Sequence, residues 1–214
     1  MIILGLTGGI GMGKSTTANF LREEGAVVWD ADAAVHRLYA KGGEAVPAIA
    51  EAFGADVIVE GAVDRTRLAA VLGKEHSLFQ KLDSIVHPMV IHDRMQALEA
   101  AKAQGVGLFV VDIPLLFETG ADTHVAATIL ASAPAEIQKQ RVLARPGMTL
   151  ERFEAIVSRQ MPDAEKRKRA DFIVETGEGL DAARARVKQI VATVLDPDWK
   201  RAPAGVSSAG QSRQ

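Results

Sequence analysis

The chain has 214 residues, 48% of them hydrophobic and 24% charged, with a net charge of −2 and no cysteine. That length and apolar content suffice for one sizeable core with a smaller appended lobe, while the charge gives no global basic footprint for nucleic acid and the missing cysteine excludes disulfides and thiolate metal sites. The N-terminal apolar run has no basic region before it and breaks at a glycine within ten residues, so it reads as neither signal peptide nor membrane span, and the expectation is a cytoplasmic protein with no membrane partner.

IILGL (2–6) reads as a short buried strand, and residues 15–24 as a helix stopped at Gly25. Between them lies GGIGMGKST (8–16), with four glycines and a lysine in a few positions. Gly8, Gly13, Lys14 and Ser15 match G-x-x-x-x-G-K-S/T, and the strand before and helix after are the context that supports the motif. Such a loop, here with Gly11, Met12, Gly13 and Thr16, turns backbone N–H groups around phosphate oxygens. The helix presents its positive end, Lys14 reaches the outer phosphates and Ser15 coordinates magnesium. The Thr17 hydroxyl reads as a helix-start residue.

AVVWD (26–30) is the next strand. It places Asp30 and Asp32 at the carboxyl edge of the sheet, where ligands of open α/β sheets bind. A carboxylate on the acceptor side of a γ-phosphate can take or orient a hydroxyl proton. Asp32 can equally cap the helix beginning AAVHRL, and spacing leaves both roles open. From 33 to about 104 the pattern is mostly helical, interrupted at KGGEAVP, at FGADVIVEGAVD and at His87-Pro88, with no strand–helix–strand alternation. His87 precedes a proline, which biases it to extended backbone and projects its ring from a helix break.

GLFVVD (107–112), VAATILA (125–131) and DFIVE (171–175) are the remaining strands, with a helix from Pro134 to about Ala144. Near-continuous apolar strands separated by helices predict a parallel sheet covered on both faces. The fold class is therefore α/β: a five-stranded phosphate-loop core (1–32 and 105–200), a helical lobe (33–104) and a lid (about 145–168). The small polar segment 201–214 is expected to be a disordered tail. Asp112, ending its strand, is either a water-mediated magnesium holder or a plain polar strand end. Leu115, Leu116 and Phe117 read by themselves as core. Arg141 and Arg145 fall i,i+4 on one helix, and Arg152 and Arg159 i,i+7 on the next; each pair sharing a face suits a lid that brings guanidinium groups to a phosphoryl group in flight. KRKR (166–169), with Asp163 and Glu165 adjoining, reads as a solvated helix face with one lid contact and not as a nucleic-acid patch.

A phosphate loop is compatible with a nucleotide-dependent switch, a motor or transporter ATPase, or a small-molecule kinase. Asn19, inside the first helix, is the only asparagine, so no N-K-x-D guanine reader exists. GLTGGIGMGKST, DAD (30–32), HP (87–88), PLLFE (114–118), RQ (159–160) and a K-x3-AD-x-I-x3-G string (166–177), in that order, resemble the dephospho-coenzyme A kinase family. The resemblance implies ATP-dependent phosphorylation of the ribose 3′-hydroxyl of dephospho-coenzyme A, with Mg2+, ATP and that acceptor as partners. It implies Asp32 as the base, Lys14 and, through the Q-x-x-R-x3-R pattern that QKQRVLAR (138–145) matches, Arg141 as further catalytic groups, and Arg145, Thr176 and Gly177 beside the nucleotide. Asp32, His87, Leu115, Leu116 and Phe117 would line the acceptor pocket, with Glu118 near. Two departures stand out: Met12 replaces the family's common serine, and VETG replaces a turn that often carries asparagine, leaving adenine contacts to the backbone of Thr176 and Gly177. A kinase of another nucleotide or small hydroxyl acceptor is the alternative reading, and a non-enzymatic switch the third.

Overall fold

Residues 1–201 are described by the computed structural model; the tail expected over 201–214 lies, apart from Arg201, outside the described residues. The apolar run at the N-terminus forms β1 (Ile2–Thr7), followed after the glycine loop by α1 (Lys14–Glu23) and β2 (Val27–Asp30). Five helices and strands of a different kind come next: α2 (Ala31–Tyr39), α3 (Ala45–Phe53), the short strands β3 (Ile58–Val59) and β4 (Ala62–Val63), and α4 (Arg65–Leu72). A long α5 (His76–Ala103) leads to β5 (Leu108–Asp112), β6 (Ala127–Ser132), α6 (Ala135–Leu143), α7 (Leu150–Val157), α8 (Asp163–Arg169), β7 (Phe172–Glu175) and α9 (Leu180–Leu195). The described residues divide into two compact units, residues 1–28 with 101–201, and residues 29–100.

The larger unit is built on a sheet of order β2-β5-β1-β6-β7. β1 pairs in parallel with β5, Leu6 opposite Asp112, and with β6, Thr7 opposite Leu130; β6 pairs in parallel with β7. β5 and β6 are buried along their whole length, as strands covered on both faces must be. One face meets Phe20 and Leu21 of α1 and Ala183, Val187, Ile190 and Val194 of α9, whose three- and four-residue spacing makes one apolar helix stripe. Arg201 closes back onto this unit through Asp171, 2.9 Å away.

The smaller unit packs Leu38, Ile49, Val57, Leu68, Leu72 and Val86 into a core of its own. Asp30 caps α2: its carboxylate accepts the Ala33 N–H at 2.9 Å, and Asp32 sits exposed in the first turn instead. The segment expected only to interrupt helices holds the antiparallel pair β3–β4, closed through Glu60 and Gly61, both at positive φ (52° and 82°), the geometry of a tight two-residue hairpin. The helix break expected at His87-Pro88 is absent, because α5 runs through Pro88 for 28 residues. Proline removes one backbone bond there, but Leu82, Ile85, Val86, Met89 and Val90 on both sides of it pack into the same core, and that packing keeps the helix continuous.

Candidate active site

The glycine loop lies between the buried end of β1 and the start of α1. Gly13 is the residue before the helix, at φ 86°, and no side chain caps that end. The first intrahelical bond runs from Thr17 N–H to Gly13 O, so the N–H groups of the opening turn have no intrahelical acceptor and point out of the helix end. Their direction and the helix dipole suit a phosphate. Gly13 also has to be glycine for a second reason: a Cβ there would stand 2.7 Å from Thr176 Oγ1.

Lys14 Nζ lies 2.5 Å from Asp112 Oδ1, which joins the loop to the end of β5 across 98 residues of sequence. Asp112 is 2% exposed and Ser15 beside Lys14 is exposed. Ser15 and Asp112 thus offer hard oxygen donors of the kind Mg2+ takes alongside phosphate oxygens. The loop is held from behind. Met12 is buried, its Sδ accepts the Ala133 N–H at 3.2 Å, and its carbonyl accepts the Thr176 hydroxyl at 2.8 Å. The side chain at the position where the related motif carries serine is therefore a packing element.

Arg141 projects from α6, outside the expected lid. Its Nη2 donates to Thr176 O at 2.7 Å and its Nη1 to Thr176 Oγ1 at 3.0 Å, with Gly11 O at 3.5 Å. Its guanidinium is thus the clasp between the glycine loop and the turn after β7. Arg145 lies beyond the end of α6, exposed, and so does not continue the helix face of Arg141. Gly177 closes tightly over α6: a Cβ there would meet Pro134 Cδ at 2.7 Å. Arg152 is on α7 but Arg159 follows its end, so that pair does not share a helix face either.

Two further expectations change. Leu116 and Phe117 are 0% and 3% exposed, with Leu116 Cδ2 2.7 Å from where a Cβ on Gly5 would be; they are core, and only Leu115, 39% exposed, keeps a face for a ligand. KRKR is solvated only in part: Lys168 is 70% exposed and pairs with Glu165. Lys166 is 1% exposed, and its Nζ donates to Glu118 Oε1 at 2.9 Å and to Pro114 O at 3.2 Å. Arg167 binds Glu175 and Asp163, and Arg169 binds Asp122 while stacking over Phe117 at 4.8 Å. Burial alone would raise the Glu118 carboxyl, but the Met161 N–H and the Lys166 ammonium outweigh it and hold it below the usual range. Asp32 and His87 are both exposed, in α2 and α5 of the smaller unit.

Gln138 and Gln160 escaped sequence reasoning as loop residues. Gln138 Nε2 donates to Ile10 O at 2.9 Å and Gln160 Oε1 accepts the Ile10 N–H at 3.1 Å. Nothing in their spacing announces this contact; Gln160 stood out only as part of the RQ pair, and Gln138 only as the start of the pattern that pointed to Arg141.

A family model described as dephospho-CoA kinase matches residues 2–181. Proteins named dephospho-CoA kinase from Rhodopseudomonas palustris (strain HaA2) and Agrobacterium fabrum are 49% and 51% identical over 191 residues, which cover 89% of this chain and 94% and 97% of theirs. A crystal structure from Thermus thermophilus, 35% identical, aligns over 91% of this chain and 97% of its own with a TM-score of 0.80. The dephospho-CoA kinase from Campylobacter jejuni, 22% identical, shares the fold with a TM-score of 0.67 over 92% of this chain and 98% of its own.

Proposed function

The chain belongs to the dephospho-CoA kinase family, and from that premise we propose that it transfers the γ-phosphoryl group of ATP to the ribose 3′-hydroxyl of dephospho-CoA, giving coenzyme A. It is a phosphotransferase with an alcohol acceptor. The observation that carries the reading is the Lys14–Asp112 pair at 2.5 Å, which brings the glycine loop and the β5 aspartate together at the uncapped start of α1.

In this reading the N–H groups of Gly13, Lys14 and Ser15 cradle the phosphates and Lys14 carries a point charge to the outer ones. Ser15 and Asp112 are the residues that would hold Mg2+, which when bound neutralises charge on the phosphate oxygens. Asp32, exposed on α2, accepts the acceptor proton as the bond to phosphorus forms. Arg141 fixes the turn at Thr176 and Gly177, whose backbone borders the adenine, and Arg145 lies within the nucleotide's reach. His87 and Leu115 are the exposed members of the acceptor wall. The substrates are ATP and dephospho-CoA, the setting cytoplasmic, with no nucleic-acid partner. No helix among the described residues is long and apolar enough to cross a membrane.

Lys14→Ala tests the assignment. Phosphoryl transfer should be abolished while circular dichroism still shows the native fold; Tm should fall, because Asp112, 2% exposed at the end of a buried strand, loses the ammonium it is paired with. Near-normal turnover in that variant would remove the phosphate loop from the chemistry.

A further inference from the structure

Ile10 stands in the glycine loop between Gly9 and Gly11. Both polar groups of its backbone are taken by side chains remote in sequence: the N–H by Gln160 Oε1 (3.1 Å) and the carbonyl by Gln138 Nε2 (2.9 Å). Gln138 comes from α6, and Gln160 from the connector between α7 and α8. Gly9 is what lets them close in, since a Cβ there would lie 3.2 Å from Gln160 Oε1 and 3.3 Å from Gln138 Nε2. Two residues on, the Met12 N–H is turned inward onto Gly9 O at 3.1 Å. The Ile10 N–H is therefore spent on holding the loop's shape, and phosphate recognition falls to the groups after it.

We propose that Gln160 is a positioning residue for ATP: by fixing the Ile10 peptide it holds the loop in the curvature that aims the following N–H groups at the phosphates. The proposal rests on the kinase reading above. The connector does a second thing. Met161, the next residue, donates its N–H to Glu118 at 2.8 Å, and Glu118 is paired with the buried Lys166, which also holds Pro114 O. Two adjacent residues of one connector thus grip the phosphate loop and the loop after β5. The direct link from the connector to the phosphate loop is Gln160.

The test is the affinity of the full chain for MgADP and MgATP by calorimetry, with steady-state kinetics alongside. Gln160→Met keeps side-chain length and removes the acceptor. It should weaken both nucleotides about tenfold, the size of one lost hydrogen bond, with kcat at saturating ATP and KM for dephospho-CoA within about twofold. Gln160→Ala should match it, because the acceptor and not the volume matters. A merely structural role predicts the opposite pattern, a fall in Tm with all constants affected together. Unchanged nucleotide affinity in folded Gln160→Met overturns the proposal. If that variant does not fold, Gln138→Met, which strips the other end of the same peptide, carries the same expectation and the same contrary outcome. Failure of the wild type to bind MgADP would sink the kinase reading itself, whereas wild-type binding with an unaffected variant sinks only the role of Gln160.

Discussion

Sequence spacing left Asp32 two roles, cap or base, and the cap is Asp30, two positions earlier. Asp30 accepts the Ala33 N–H and caps α2; Asp32 is exposed in the first turn and makes no cap. Their substitutions should therefore separate cleanly. Asp32→Asn removes a proton acceptor, so kcat should fall by ~10²–10⁴ with little change in Tm. Asp30→Asn should cost almost nothing, since the two residues rank alike as caps, whereas Asp30→Ala should lower stability by about 1 kcal/mol with turnover retained. If Asp30→Asn, and not Asp32→Asn, stops turnover with acceptor binding intact, the base is the other carboxylate. Arg141 is also redefined by its partners. Its planar fork spans the carbonyl and hydroxyl of Thr176 at once, which a single ammonium cannot reproduce. Arg141→Lys should raise KM for ATP more than it lowers kcat. A loss confined to kcat would instead return the guanidinium to the transferring phosphoryl group.

At the scale of elements, the departures from expectation have one cause: side chains finding partners far along the chain. α8 carries four consecutive basic residues, a pattern that alone means solvent. Yet Glu118, Asp163, Glu175 and Asp122 meet three of them, and the Glu175 bond raises the Arg167 pKa above its ordinary value against the opposing effect of burial. α5 is continuous through Pro88 because apolar residues on both sides of it are buried in one core. α5 is also tied to α2 and to the end of β2: Asp93 accepts Trp29 Nε1–H and Arg37 Nη2–H, each at 2.6 Å. Partial burial would raise the Asp93 carboxyl, but the bonds from Arg37 and Trp29 prevail and hold it below its usual range. A depressed folded pKa means stabilisation that is present above the unfolded value, ~3.9, and lost as pH falls through the folded one. The Tm difference between wild type and Asp93→Asn should thus be largest near neutrality and shrink on acidification below about pH 4. A difference that stays constant down to pH 3 would mean that the carboxylate's charge contributes nothing there.

For the whole molecule, what was legible in the sequence is what depends on local pattern. The five parallel strands announce themselves through continuous apolar runs such as LFVVD and ATILAS, and the loop through glycine spacing between a strand and a helix. The hairpin at Ile58–Val63 was not legible, because two strands of two residues carry no period and only Glu60 and Gly61 at positive φ define the turn. In the site, Lys14 and Ser15 were readable from the motif, while Gln138, Gln160 and the Lys166–Glu118 pair were not, since each acts across dozens of residues on a backbone atom or a buried charge. Acceptor-dependent phosphoryl transfer is the activity to which every residue role above refers. The most direct measurement is ADP release in a coupled assay with ATP, Mg2+ and a panel of dephospho-CoA, adenosine, shikimate and gluconate. ADP should appear in step with dephospho-CoA consumption, at a rate far above that with any other acceptor, and the product should carry its new phosphate on the ribose 3′-oxygen. ADP release at the same rate with water alone, or a preference for another hydroxyl in the panel, would contradict it.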